Sequence, residues 1–112
     1  MGGKHSRNKG HQFERDVAKR FRDIFPGARR KLEYQEADCT GVDITGTGVL
    51  KIQCKRYRQY SPISKIEEIR ESGIRCLVTK GDRSPTMICL ELDDFINILS
   101  DIGVVYENDN SN

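Results

Sequence analysis

The sequence has no tryptophan, only three prolines and two histidines, and no long apolar run in its 112 residues. Without a stretch near the roughly 20 residues of a bilayer span, a membrane helix is not expected. The opening MGGKHSRNKG has no apolar core region, so it is not expected to be a secretory leader. His5 and His11 lie far from the four cysteines at 39, 54, 76 and 89, and no two cysteines are spaced as CxxC. The usual zinc-ligand spacings are therefore excluded. Cys54, Cys76 and Cys89 sit in apolar, strand-like runs, where free cysteine behaves as a small hydrophobe. A reducing, cytoplasmic compartment is expected.

What is present is charge, unevenly placed. The net charge is only +2, yet residues 1–31 hold ten Lys/Arg against three Asp/Glu. Residues 51–58 add four cations, whereas from Asp82 onward there are seven acids and one arginine. A small domain with a basic half and an acidic end suits a phosphate backbone, and so a nucleic acid, as partner. The plainer reading is ordinary solvated helix charge.

The length suits one domain with a modest core. Residues 1–9 read as a flexible basic N-terminus, 10–103 as a single domain and 104–112 as a polar tail, disordered over Asn108–Asn112. Phe13, Val17, Ala18, Phe21, Ile24 and Phe25 follow the helical period and predict a helix over 10–25, ended by Pro26-Gly27. RRKLEYQ at 29–35 reads as a short strand. Val42–Thr45 and Val49–Lys55 read as a hairpin around Gly46-Thr47-Gly48. A second helix begins near Ser61-Pro62, or at Ser64 with Glu67 as a capping box, and ends before Gly73. Strands at Ile74–Thr79 and Thr86–Leu90 precede a last helix capped by Asp93 or Asp94. The order predicts an α/β fold, a small mixed β-sheet flanked by helices.

Four residues stand out chemically. Glu14 falls inside an apolar helix stripe about 140° wide, and a carboxylate facing a core is costly unless paired, protonated or metal-bound. It also sits in the expected first turn, where the helix dipole favours an acid. Asp43 interrupts β-branched residues in Gly41-Val42-Asp43-Ile44, which equally describes a strand end beside a glycine turn. A three-residue loop would set Asp43 opposite Lys51, on one face with Gln53 and Lys55; a two-residue loop would set it with Leu50, Ile52 and Cys54. Gln53 offers a neutral oxygen, weaker than carboxylate for a hard cation. Lys55 offers a point charge for a water or phosphate oxygen. An Asp and a Glu with such neighbours can hold a divalent ion that polarises a phosphodiester. Gln53 and Lys55 also suit a merely solvated strand face.

Phe13-Glu14, then Gly41-Val42-Asp43-Ile44, then Gln53-Cys54-Lys55-Arg56-Tyr57 resembles the PD-(D/E)XK nuclease superfamily over roughly residues 8–100. The glutamine is similar to the Mrr-type restriction endonuclease domain, which characteristically has Gln in place of the acid. Lys9-Gly10-His11-Gln12-Phe13-Glu14 and Phe25-Pro26-Gly27-Ala28-Arg29-Arg30 resemble archaeal and phage Holliday-junction resolvases. The resemblance implies a restriction-endonuclease-like core with Glu14, Asp43, Gln53 and Lys55 as the catalytic set. It implies Mg²⁺ or Mn²⁺ held by Glu14, Asp43, Gln53 and the Cys54 backbone carbonyl. It also implies DNA contacts from Lys9, Arg15, Lys19, Arg22, Arg29, Arg30 and Arg56. The stretch Arg58-Gln59-Tyr60-Ser61-Pro62 departs from the usual continuation of the Mrr motif.

The expected function is a metal-dependent DNA endonuclease, structure-selective in the manner of a junction resolvase, acting on branched DNA as a homodimer because a junction presents two equivalent strands. A general Mrr-like endonuclease is the near alternative. A non-catalytic DNA-binding module on the same fold, and a partner-binding domain using the acidic last helix, are the other two.

Overall fold

The computed structural model describes residues 2–32 and 40–103, with side chains from residue 8 onward. Helix α1 (Gly2–Phe21) leads into β1 (Arg29–Arg30), β2 (Ile44–Thr45) and β3 (Leu50–Arg56). A 3₁₀ segment (Ile63–Glu68), β4 (Ile74–Lys80), β5 (Met87–Leu90) and helix α2 (Leu92–Asp101) follow. The strands form one five-stranded mixed sheet in the order β1-β2-β3-β4-β5. Only β3 and β4 run parallel; the other neighbours are antiparallel. Among the described residues no helix is long and apolar enough to cross a membrane.

β3 and β4 divide the core by residue parity. Ile52, Cys54, Cys76 and Val78 pack with Ile44 against Phe13, Val17 and Ala18 of α1. On the opposite face Leu77 packs with Val42, Ile66 and Ile69. Each fully buried aliphatic chain here contributes roughly 1.5–3 kcal/mol. A parallel pair cannot be joined by a tight turn, so the chain between β3 and β4 crosses over the sheet. That crossover carries Ile66 and Ile69 into the second cluster.

Several local features depart from expectation. The helix expected over 10–25 runs from Gly2 to Phe21. The residue before a proline is driven out of the α region, so Phe25 cannot extend a helix into Pro26. The last turn closes instead with bonds from Arg22 N to Lys19 O and Ile24 N to Phe21 O, leaving Ile24 75% exposed. The expected second helix is a 3₁₀ segment beginning after Pro62, with no capping-box bond from Ser64. A 3₁₀ helix repeats every three residues, so Ile66 and Ile69 reach the same core. α2 starts after Glu91, with Asp93 and Asp94 inside its first turn rather than at its cap. The strand expected over 29–35 forms only at Arg29–Arg30, and Lys31 and Leu32 are not part of it; residues 33–35 lie outside the described set, as do 104–112.

The β2–β3 connection is longer than the three-residue loop expected. Ile44 pairs with Ile52, where that loop would have paired it with Leu50. The shift is by two residues, so parity is retained. Gly46 has φ +81, and a Cβ there would collide with the Gly27 carbonyl oxygen, so only glycine fits between this loop and the turn after α1.

Candidate active site

The site is built where the chain entering β2 meets β3 and the end of the crossover. Val42 and Ile44 are two residues apart yet face different clusters, so regular alternation breaks at Asp43. The Asp43 amide bonds Ile52 O at 2.8 Å, and Lys31 N donates to Asp43 O at 2.7 Å. Fixed on both sides, Asp43 sends its carboxylate to the strand edge, where Oδ2 accepts from Cys54 N at 2.8 Å. In an extended strand the N–H and C=O of one residue project to the same edge. The Cys54 carbonyl therefore shares that edge with the Asp43 carboxylate.

Gln53 and Lys55 flank this point on the other face. Gln53 is buried, and its Nε2 donates to Glu68 Oε1 at 3.0 Å. Only the amide nitrogen can donate to a carboxylate, so Glu68 fixes which way the amide points. Among the described residues, the Gln53 Oε1 is then buried without a hydrogen-bond partner. An orphaned buried acceptor costs about 1–3 kcal/mol and calls for an occupant such as water or an ion. Lys55 Nζ lies 3.4 Å from the same Glu68 Oε1, and Lys65 Nζ donates to Glu68 Oε2 at 2.9 Å. The bond from Lys65 holds the Glu68 carboxyl below the usual range; partial burial opposes this, while Gln53 and the Lys55 charge reinforce it. Gly41, at φ +77, lets the Asp43 segment press on the crossover, since a Cβ there would collide with the Glu68 carbonyl oxygen.

Glu14 lies on the α1 side. Its Oε1 accepts from Arg30 Nε at 3.0 Å, with both side chains 13% exposed. This pairing explains how an acid is tolerated inside the apolar stripe. Burial pushes the Cys54 thiol well above its ordinary range, and the charges of Asp43 and then Glu14 push it further. Both carboxylates are thus felt at Cys54, the residue between Gln53 and Lys55. Among the described residues no three His, Cys, Asp or Glu side chains form a metal-holding group; the set here is two acids with an amide and a backbone carbonyl.

The residues expected to face DNA divide into two kinds. Arg15, Lys19, Arg22 and Arg29 are exposed, with Arg22 Nε also donating to Ala28 O at 2.8 Å. Lys9 and Arg56 converge on Asp82 at 3.4 and 3.0 Å. Desolvation works against that carboxyl's ionisation, but the two cations outweigh it and hold it below its usual range. Arg30, expected at the DNA surface, is turned inward onto Glu14.

Glu68, Lys65 and Asp82 were not singled out by the sequence. Glu68 is one of several acids in the crossover, and nothing local separates it from Glu67. A reader of the sequence had one usable signal: the cations on β3 require acids opposite, and the crossover is where those acids lie. Lys51 shows the same pattern, 3.2 Å from Glu71. No known protein family, curated protein or solved structure matches the chain.

Proposed function

We propose that this chain is a divalent-metal-dependent DNA endonuclease of the PD-(D/E)XK kind, hydrolysing phosphodiester bonds in branched DNA. The observation that carries the reading is the orphaned, buried Gln53 oxygen next to the strand edge where the Asp43 carboxylate and Cys54 carbonyl meet. Hard oxygen donors of this kind suit Mg²⁺ or Mn²⁺, so Asp43, the Gln53 amide oxygen and the Cys54 carbonyl fit such an ion, while Glu14, on the α1 face and paired with Arg30, adds negative charge near Cys54. When bound, the ion polarises the phosphate and lowers the pKa of water.

The chain's own residues do the rest. Asp43 supplies fixed negative charge, its backbone held on both sides and its carboxylate held by the Cys54 amide. Glu68 holds the Gln53 amide so that its oxygen stays turned away from the crossover. Lys55 keeps its ammonium beside Gln53, where it stabilises charge developing on a phosphate oxygen. Arg15, Lys19, Arg22 and Arg29, with Lys9 and Arg56, give a salt-sensitive grip on the DNA backbone. Paired cuts across a junction need two such sites, which a homodimer supplies. Among the described residues, Cys54, Cys76 and Cys89 are free thiols, which fits work in a reducing cytoplasm.

A second reading is a DNA-binding module that keeps this fold without turnover. It is favoured by Glu68 satisfying both Gln53 and Lys55 within the chain. One assay separates the two: a labelled four-way junction, a matched duplex and a single strand, each with Mg²⁺ and with Mn²⁺. Paired symmetric cuts in the junction alone are expected, lost in Asp43→Ala and Lys55→Ala while DNA retention persists. Cutting of all three substrates would indicate a general Mrr-like endonuclease. Retention with no cutting under either ion would leave the binding module standing.

A further inference from the structure

The β5 end of the sheet, away from the β2–β3 edge that carries the site, is apolar in a way one chain does not use. No residue of α2 is buried; Leu92, Phe95 and Ile96 are exposed on it and Ile102 is exposed just beyond its end. β5, the last strand of the described sheet, adds exposed Met87 and Ile88 and carries neither charge nor proline, the usual guards of an edge strand. Between β5 and the end of α1 lies a groove of about 370 Å³ lined by Val17, Phe21, Ile24, Met87 and Ile88, with Arg20 at its rim. Isolated exposed apolar residues need no explanation, but a run this dense on adjoining elements marks an interaction surface.

The charges around it say what fits. The end of α1 is basic at the groove, with Arg20 in its last turn. α2 has Asp93 and Asp94 in its first turn and no cation in its last. Asp94 is close enough to the sheet that, after burial itself, its charge contributes to raising the Cys76 thiol to about 11. Cys76 belongs to the cluster under α1, so this end of α2 lies towards the α1 side of the sheet. One surface therefore offers an acidic, apolar helix and a basic, apolar groove.

We infer that this surface pairs two copies of the chain, the α2 helix of each lying over the β5 edge and α1 end of the other. A two-fold axis makes every contact occur twice, so opposite charges on the two flanks are matched by rotation alone. An acidic helix that met another acidic helix, or a DNA strand, would face repulsion. The surface stands on its own apolar and charge pattern; its use for paired cutting rests on the nuclease reading above. It leaves the β2–β3 edge with Asp43 uncovered, since β2 lies three strands away from β5.

The test is the molar mass of the whole chain by light scattering and sedimentation, without DNA, so that loss of cleavage and loss of pairing are read separately. Wild type is expected as a dimer at micromolar concentrations. Phe95→Glu, at an exposed position, is expected to weaken pairing roughly 30-fold or more, as a central interface residue does, with an unchanged circular dichroism spectrum. Arg20→Glu alone, and Asp93→Arg with Asp94→Arg, are each expected to be monomeric. Mixed in equal amounts, these two proteins meet with opposite charges at both flanks and are expected to restore the dimer. A monomeric wild type would assign the patch to another partner and overturn the inference. So would a dimer indifferent to Phe95→Glu, or a mixture that stays monomeric.

Discussion

The two faces of β3 obey different rules. On one, Ile52 and Cys54 are buried against Phe13, Val17 and Ala18 of α1. On the other, Lys51, Gln53 and Lys55 meet Glu71 and Glu68 from the crossover. The apolar face is held by area, which is non-directional, so its residues could be exchanged for others of similar volume. The polar face is held by particular atoms at particular distances, and it leaves the Gln53 oxygen unpaired. The difference separates the face that holds the fold together from the face on which the proposed site is built.

Three experiments sharpen that division. Ile52→Ala empties a fully buried position, and about 2–5 kcal/mol of stability is expected to go, read by urea unfolding. A loss below about 0.5 kcal/mol would mean the α1 face is not the core described here. Glu68→Ala comes next. Glu68 is exposed at the surface of the polar cluster, so the unfolding midpoint is expected to stay close to wild type. Its loss frees the Gln53 amide to turn and releases Lys55, and a drop of roughly 10–100-fold in Mn²⁺ affinity is expected, as for other outer partners of a metal ligand. Titration calorimetry reads this without any cleavage assay, and Glu68→Asp should recover part of it. Unchanged Mn²⁺ affinity would remove Glu68 from the site.

The smallest effect is on pH dependence. Glu68 has a folded-state pKa below its unfolded value. The stability it contributes is therefore complete above the unfolded carboxylate value of about 4.3 and is lost as pH falls through the lower folded value. Between pH 5 and 8 this carboxyl adds no slope. Wild type and Glu68→Gln should then have parallel stability curves over that range and converge below it. A difference that opens instead near neutrality would place the linked proton on another group.

Legibility in the sequence followed the range of the forces. The α1 stripe through Phe13, Val17 and Ala18 was plain, because helical periodicity is local. Its supposed continuation to Ile24 and Phe25 failed, because Pro26 acts backward on Phe25 more strongly than the apolar pattern acts forward. The hairpin was recognisable from its two glycines, whereas its register was not. The contact between Gly46 and the turn at Gly27 is long-range, and it sets the loop. The expectation for Glu14 was correct in that a carboxylate there needs a partner, but the partner, Arg30, had been expected at a DNA surface.

By itself the sequence determined a small mixed α/β domain, the parity that puts Gln53 and Lys55 on one face, and an asymmetry of charge between its two ends. These depend on residue type and spacing alone. Only the tertiary structure decided that Asp43 caps the Cys54 amide, that Glu68 rather than Glu67 orients Gln53, and that α2 keeps its apolar face outward. Each of those rests on two segments far apart in the chain meeting within hydrogen-bond or van der Waals distance, and no local pattern encodes such a meeting.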